Sequence, residues 1–158
     1  MSEARGQHGE GRARGAPRSS PPIRDGDLPD GRVPTIRVVM LPRDTNANGT
    51  IFGGVILSQI DLASAIEAHR WHAGRLVTVA MNAVEFKRPV FVGDLVSLYT
   101  STEKVGTTSV TVRVQVWAQR RFGSSERVPV TDATVVMVAT DDHGQKVPIT
   151  RTEPAPLY

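Results

Sequence analysis

The chain has 158 residues, enough for one domain of ordinary size, with 39% hydrophobic residues and 19 Lys+Arg against 16 Asp+Glu. It has no cysteine, which excludes disulfides, thiol nucleophiles, iron–sulfur clusters and Cys-type zinc sites. A formal charge of +3 spread over mixed signs offers no basic face for nucleic acid.

Residues 1–33 hold only Ile23, Leu28 and Val33 as large aliphatic side chains. Their six arginines are nearly cancelled by Glu3, Glu10, Asp25, Asp27 and Asp30. Such a segment buries too little apolar surface to offset its ordering entropy, so a disordered tail is expected. It lacks the apolar core of a secretory signal, and no later run approaches the ~18 apolar residues of a membrane span. The expected compartment is the cytosol.

Order is expected from Pro34. Residues 35–40 alternate well enough for a strand that Pro42 ends, and residues 41–53 read as a polar loop. From Gly54 to about Trp71 the pattern is helical, with Ile56, Ile60, Ala63 and Ile66–Glu67 on one face and mostly small residues beside it. Gly74 supplies a stop. Four β-like runs follow, at 76–86, 95–104, 108–119 and 130–140, the last closed by a turn at 141–144. In the third, Val110, Val112, Val114 and Val116 share one face. A lone helix must bury its apolar stripe on the antiparallel sheet these runs form, and an open edge strand invites pairing with a second chain. The organisation is an N-terminal tail (1–33), one α+β domain (34–150) and a C-terminal tail (151–158).

Several residues carry chemistry on elementary grounds. Gly53 and Gly54 leave backbone N–H groups bare at the positive end of the helix dipole, a donor pair suited to an oxyanion; close helix–sheet packing explains the same glycines. Asp61 lies roughly two turns into the helix among Leu57, Ser58, Ser64 and Ala65. A carboxylate desolvated there becomes a better base, whereas one on the outer face is only solvated. Asn46 donates and accepts without titrating, so it suits orienting a water or a carbonyl, or closing an Asx turn. His69 and His72 stand three apart without an acidic third ligand, so they are read as side chains favourable to the helix dipole and not as a metal site.

At this point a resemblance becomes visible. Leu41-Pro-Arg-Asp-Thr-Asn-Ala-Asn-Gly-Thr-Ile-Phe-Gly-Gly54 and Ser58-Gln-Ile-Asp61 closely resemble the YciA-type bacterial acyl-CoA thioesterases, relatives of the brain acyl-CoA hydrolase. Val77-Thr-Val79, Phe86-Lys-Arg-Pro-Val90, Val92-Gly-Asp94, Val105-Gly-Thr-Thr-Ser-Val110 and Val114-Gln-Val-Trp117 continue the match, which covers about residues 36–149. The resemblance implies a hotdog fold, a curved antiparallel sheet wrapped around one long helix. It implies a dimer as the minimal active unit, commonly assembled as a trimer of dimers. It also implies hydrolysis of acyl-CoA with no metal and no added cofactor. Asp61 falls on the family's catalytic acid and Asn46 on its partner across the dimer interface. Gly106, Thr107, Thr108 and Ser109 fall on the border of the CoA channel, with Lys104 beside them and Lys87 and Arg88 as cations for the phosphates; solvated hairpin residues are the plainer reading of this group. Val55 stands where relatives often carry a larger residue such as Trp, which bears on acyl-chain preference if that position lines the pocket.

Two rivals share the fold. A hotdog dehydratase would place a catalytic histidine on the loop or helix, and no histidine lies between Met40 and Ala68. A non-catalytic acyl-CoA sensor would carry a DNA-binding helical module before the domain, and residues 1–33 are too short and too rich in Gly and Pro for one.

Overall fold

The computed structural model describes residues 31–82, 84–121 and 126–157, so most of the expected N-terminal tail lies outside them. Strand β1 (Ile36–Val39) leads through a 3₁₀ turn (Pro42–Asp44) and a loop into helix α1 (Gly53–Ala68). Four strands follow: β2 (Arg75–Asn82), β3 (Leu95–Val105), β4 (Ser109–Gln119) and β5 (Arg127–Thr140). They form one curled antiparallel sheet in the order β1-β3-β4-β5-β2, with α1 against it. This is the hotdog architecture that the resemblance implies.

The valines of β4 explain the packing. Val110, Val112, Val114 and Val116 point to the helix and are fully buried, opposite Met137, Val135 and Ala133 of β5. Ile56, Ile60 and Ala63 of α1 close the same core. β-branched residues at a period of two fill a half-buried pleated surface well, which is why this run was the clearest strand in the sequence.

Several expected boundaries move. The helix ends at Ala68, short of Trp71, because Arg70 and Trp71 donate to carbonyls three residues back and tighten the last turn. β2 stops at Asn82, and residues 84–90 lie outside the strand although Lys87 N–H still donates to Val130 O of β5. β5 begins at Arg127 and carries Pro129 inside it. The proline is tolerated because the register slips there: Val116 pairs with Thr131 but Trp117 with Pro129.

Of the pair Ile66–Glu67 expected on the buried helix face, only Glu67 lies there. Ile66 is 42% exposed, while Glu67, its neighbour, is 2% exposed. The stripe that faces the sheet runs 56, 60, 63, 67, and Glu67 falls on it. Its carboxylate is fully occupied: Arg70 Nη1 donates to both oxygens (2.9 and 3.1 Å), Thr102 Oγ1 to one (2.8 Å) and Thr100 Oγ1 to the other (3.3 Å). Trp71 Nε1 donates in turn to Thr102 Oγ1 at 2.9 Å. A buried charge survives only with its lone pairs satisfied in this way.

The residues expected as a C-terminal tail are tied to this end of the helix. Arg151 Nη1 donates to His69 O and Arg70 O, Arg70 Nε donates to Ala155 O, and Ala155 N–H donates to Arg70 O. A cation at a helix C-terminus satisfies orphan carbonyls and the dipole together. Among the described residues no helix is long and apolar enough to cross a membrane.

His72 is buried beside this anchor, and its Nδ1 has no hydrogen-bond partner among the described residues. Burial, then the nearby His69 and Arg151, hold its pKa below the ordinary 6.5. The unfolded chain therefore binds this proton at a higher pH than the folded one does. The neutral imidazole's contribution is fully present above pH 6.5 and declines as pH falls below it towards the folded value. Urea midpoints measured at pH 8 and pH 5 should fall with acid, and by less in His72→Gln than in the parent.

Candidate active site

The loop before the helix is built by its own polar side chains. Asp44 accepts from Leu41 N–H through Oδ2 at 2.9 Å, and Thr45 pairs with Ile51 across the base. Asn46 organises the tip. Its Oδ1 accepts from the backbone N–H of Asn48 (2.8 Å) and Thr50 (3.3 Å), and its Nδ2 donates to Thr50 Oγ1 at 2.9 Å. Gly49 turns the chain at φ +79°, where a side chain is strained. Asn46 is thus an Asx-turn residue within one chain, and one Nδ2 hydrogen remains for another acceptor.

The helix start is bare, as its glycines suggest. Phe52 occupies the N-cap with no side-chain cap, and the first turn holds no acidic residue. Phe52 N–H donates to Asp44 O and Ile51 N–H to Val90 O, which holds the chain on both sides of the turn. The N–H groups of Gly53 and Gly54 have no acceptor among the described residues. Two exposed rings stand beside them: a Cβ on Gly54 would lie 2.3 Å from Phe52 Cε1, and one on Gly53 would lie 3.5 Å from Phe86. A cavity of about 340 Å³ opens here, with Gly53, Ile56, Phe86, Lys87, Arg88 and Val90 among its walls. The structure therefore brings Lys87 and Arg88 to Gly53. Val55 is not on that wall; it packs partly buried against the core.

Asp61 is partly buried, on the side of α1 that faces β2. Thr78 Oγ1 donates to its Oδ1 at 2.5 Å, and that is the only hydrogen bond of the carboxylate among the described residues. Reading the sequence did not single out Thr78 as a partner of Asp61, because a threonine in an alternating strand is ordinary. Asp61 lies seven residues beyond Gly54, about 10 Å along the helix axis, and the Gly54 N–H points away from it.

The remaining candidates lie elsewhere in the same chain. Gly106 N–H donates to Ser109 O in the β3–β4 turn, Thr107 O accepts from Ile149 N–H, and Thr108 O accepts from Ala139 N–H. This hairpin, with exposed Lys104, sits at the C-terminal end of α1, and Gly53, Lys87 and Arg88 sit at the other. Sixteen residues of helix, about 24 Å, separate the two ends. His69 Nδ1 meets Ala65 O at 2.7 Å. Among the described residues no three His, Asp or Glu side chains are gathered as for a metal.

Comparison with known proteins agrees with this architecture. Residues 48–121 match the family model of the thioesterase superfamily. The acyl-CoA thioester hydrolase YciA of Salmonella typhimurium is 40% identical over 125 residues, which cover 78% of this chain and 93% of that protein. A hexameric hotdog-fold thioesterase of Campylobacter jejuni is 46% identical, with a TM-score of 0.69 over 74% of this chain and 90% of that one. A hexameric thioesterase of Yersinia pestis is 39% identical, with a TM-score of 0.71 over 79% of this chain and 100% of that one. The chain belongs to the YciA-type acyl-CoA thioester hydrolases, enzymes of the hotdog fold.

The contact between Phe52 and Gly54 is testable by stability. Alanine at a helical glycine gains up to about 1 kcal/mol from backbone entropy, but here the new methyl displaces the Phe52 ring. Gly54→Ala should be more stabilising in a Phe52→Ala background than in the parent, by urea denaturation; equal effects in both would place the ring elsewhere.

Proposed function

We propose that this chain hydrolyses acyl-CoA thioesters to CoA and the free carboxylic acid, with Asp61 as the reacting carboxylate and no metal. The observation that carries this reading is the state of Asp61. One oxygen is held by Thr78, the other is uncommitted, and both lie beside the open edge of the sheet. Gly53 and Gly54 supply the donors for the oxygen that becomes negative when the carbonyl carbon turns tetrahedral. Asn46 orients the carbonyl or the water through its spare N–H. Net reaction consumes one water: oxygen adds to the carbonyl carbon, the carbon–sulfur bond breaks, and the proton goes to the departing CoA thiolate. Asp61 serves this as base toward water or as nucleophile through an anhydride, and single-turnover hydrolysis in heavy-oxygen water separates the two by label in the Asp61 peptide.

The active unit in this reading is a homodimer, with Asn46 and the glycine amides from one copy and Asp61 from the other. β2 supports it: eight residues long, it forms an open edge, and Val79 on it is 57% exposed. Leu62 and Ile66 are also apolar and uncovered in one chain. A two-fold pairing along β2 runs antiparallel, so the helix start of one copy and the Gly106–Ser109 hairpin of the other come to the same end. That arrangement lets Lys87 and Arg88 of one copy, and Lys104, Thr107, Thr108 and Ser109 of its partner, border one CoA molecule. Three such dimers make a homohexamer, the assembly of the relatives from Campylobacter jejuni and Yersinia pestis.

The test is turnover of a panel of short to long acyl-CoAs, followed by release of free CoA thiol. Asp61→Asn should still bind acyl-CoA and lose turnover by about 10³-fold or more. A near-parental rate would remove Asp61 from the mechanism, and binding without any turnover by the parent would make the protein a sensor.

A further inference from the structure

The hydrogen bond on Asp61 comes from a strand whose alternation is broken at that point. In β2, Leu76 pairs with Ala139 and Thr78 with Met137, and both partners are buried against the helix. Unbroken alternation would next turn Ala80 inward and Met81 outward. The register instead slips between Thr78 and Ala80: Ala80 pairs with Val136 and Met81 with buried Val135. Val79 is the extra residue of a β-bulge. With it, Thr78 and Met81, three apart, both face the helix side. Met81 packs against the core, and Thr78, left exposed at the open edge, reaches Asp61 on α1 at 2.5 Å. The bulge turns Met81 into the core, while Thr78 faces the helix by regular alternation with Leu76.

We propose that Thr78 is a positioning residue for the thioesterase reaction, its hydroxyl holding one oxygen of Asp61. The proposal rests on the reading of Asp61 as the reacting carboxylate. A carboxylate on a helix turns freely about its last torsion, which is broad and roughly two-fold. Donation from Thr78 to Oδ1 removes that freedom. It leaves Oδ2 with its lone pairs free and directed away from β2, towards whatever substrate the second copy brings. The hydroxyl needs no proton of its own to move during the reaction; it holds one oxygen while the other reacts. Asp61 has no other partner among the described residues, so nothing else fixes its plane.

Thr78→Val keeps the shape and the β preference and removes only the hydroxyl. It should lower kcat by about 10- to 100-fold, the usual weight of a hydrogen bond to a charged group, with KM changed less than about threefold. Thr78→Ser should restore most of kcat. In an Asp61→Asn background, Thr78→Val should cost no further activity, because its effect passes through the missing carboxylate. Loss of turnover in Asp61→Asn together with a parental kcat in Thr78→Val overturns the positioning role and leaves the Asp61 assignment standing. A KM rise with unchanged kcat, or additive losses in the double variant, makes Thr78 a substrate-binding or purely structural residue. A parental rate in Asp61→Asn removes the reading beneath the proposal, independently of Thr78.

Discussion

One helix of 16 residues has to cover the sheet that five strands present, and everything else in the molecule is arranged around that constraint. A sheet with one apolar face is stable only when the face is covered, and no second helix stands among the described elements to share the task. The helix is therefore fastened hard at one end. Glu67 is shared by Arg70, Thr100 and Thr102, and Arg151 caps the last carbonyls. Its other end is left without a cap, with two glycine amides unspent. The anchoring contacts sit at the C-terminus of α1, and the unspent donors at its N-terminus. The division is physically reasonable, because an anion or a developing oxyanion is attracted to the bare positive end.

The second consequence is an edge. Five strands against one helix do not close into a barrel, so β1 and β2 are left open. β1 is four residues long and offers little to pair with, whereas β2 is eight residues long. Asp61 and Thr78 lie along that longer edge, and the glycine amides lie about 10 Å away along the same helix. The proposed division of the active site between two copies follows from that spacing: the groups that the proposal assigns to one carbonyl are too far apart in one chain. Oligomerisation would then be part of the chemistry as well as a way of covering an open edge.

Much of this was legible in the sequence, and the remainder was not for identifiable reasons. Local patterns carried the order of elements, since four valines at a period of two and a run of helix formers ending near a glycine are short-range signals. The bare helix start was equally legible, because Gly53 and Gly54 are adjacent. Contacts between distant residues were not. Nothing in the neighbourhood of Glu67 tells that Thr100 and Thr102 wait for it, so periodicity placed Ile66 and Glu67 on the buried face together and did not separate them. The bulge at Val79 and the slip at Pro129 depend on what the partner strand offers, and alternation read along one strand does not contain them. Asp61 was reached through the resemblance to known thioesterases; helical periodicity alone left open the side of α1 on which it falls. Its companion Thr78 became visible only when β2 was seen next to the helix.

The central claim is that one carbonyl is served by residues of two chains, and mixing two inactive variants tests it most directly. Asn46→Ala and Asp61→Ala homodimers should each be nearly inactive. Subunit exchange between them should regenerate about one intact site per heterodimer, because the sound Asp61 of one copy meets the sound Asn46 of the other. Activity that rises with the measured fraction of heterodimer is the predicted result. Heterodimers that form and stay inactive would contradict the shared site.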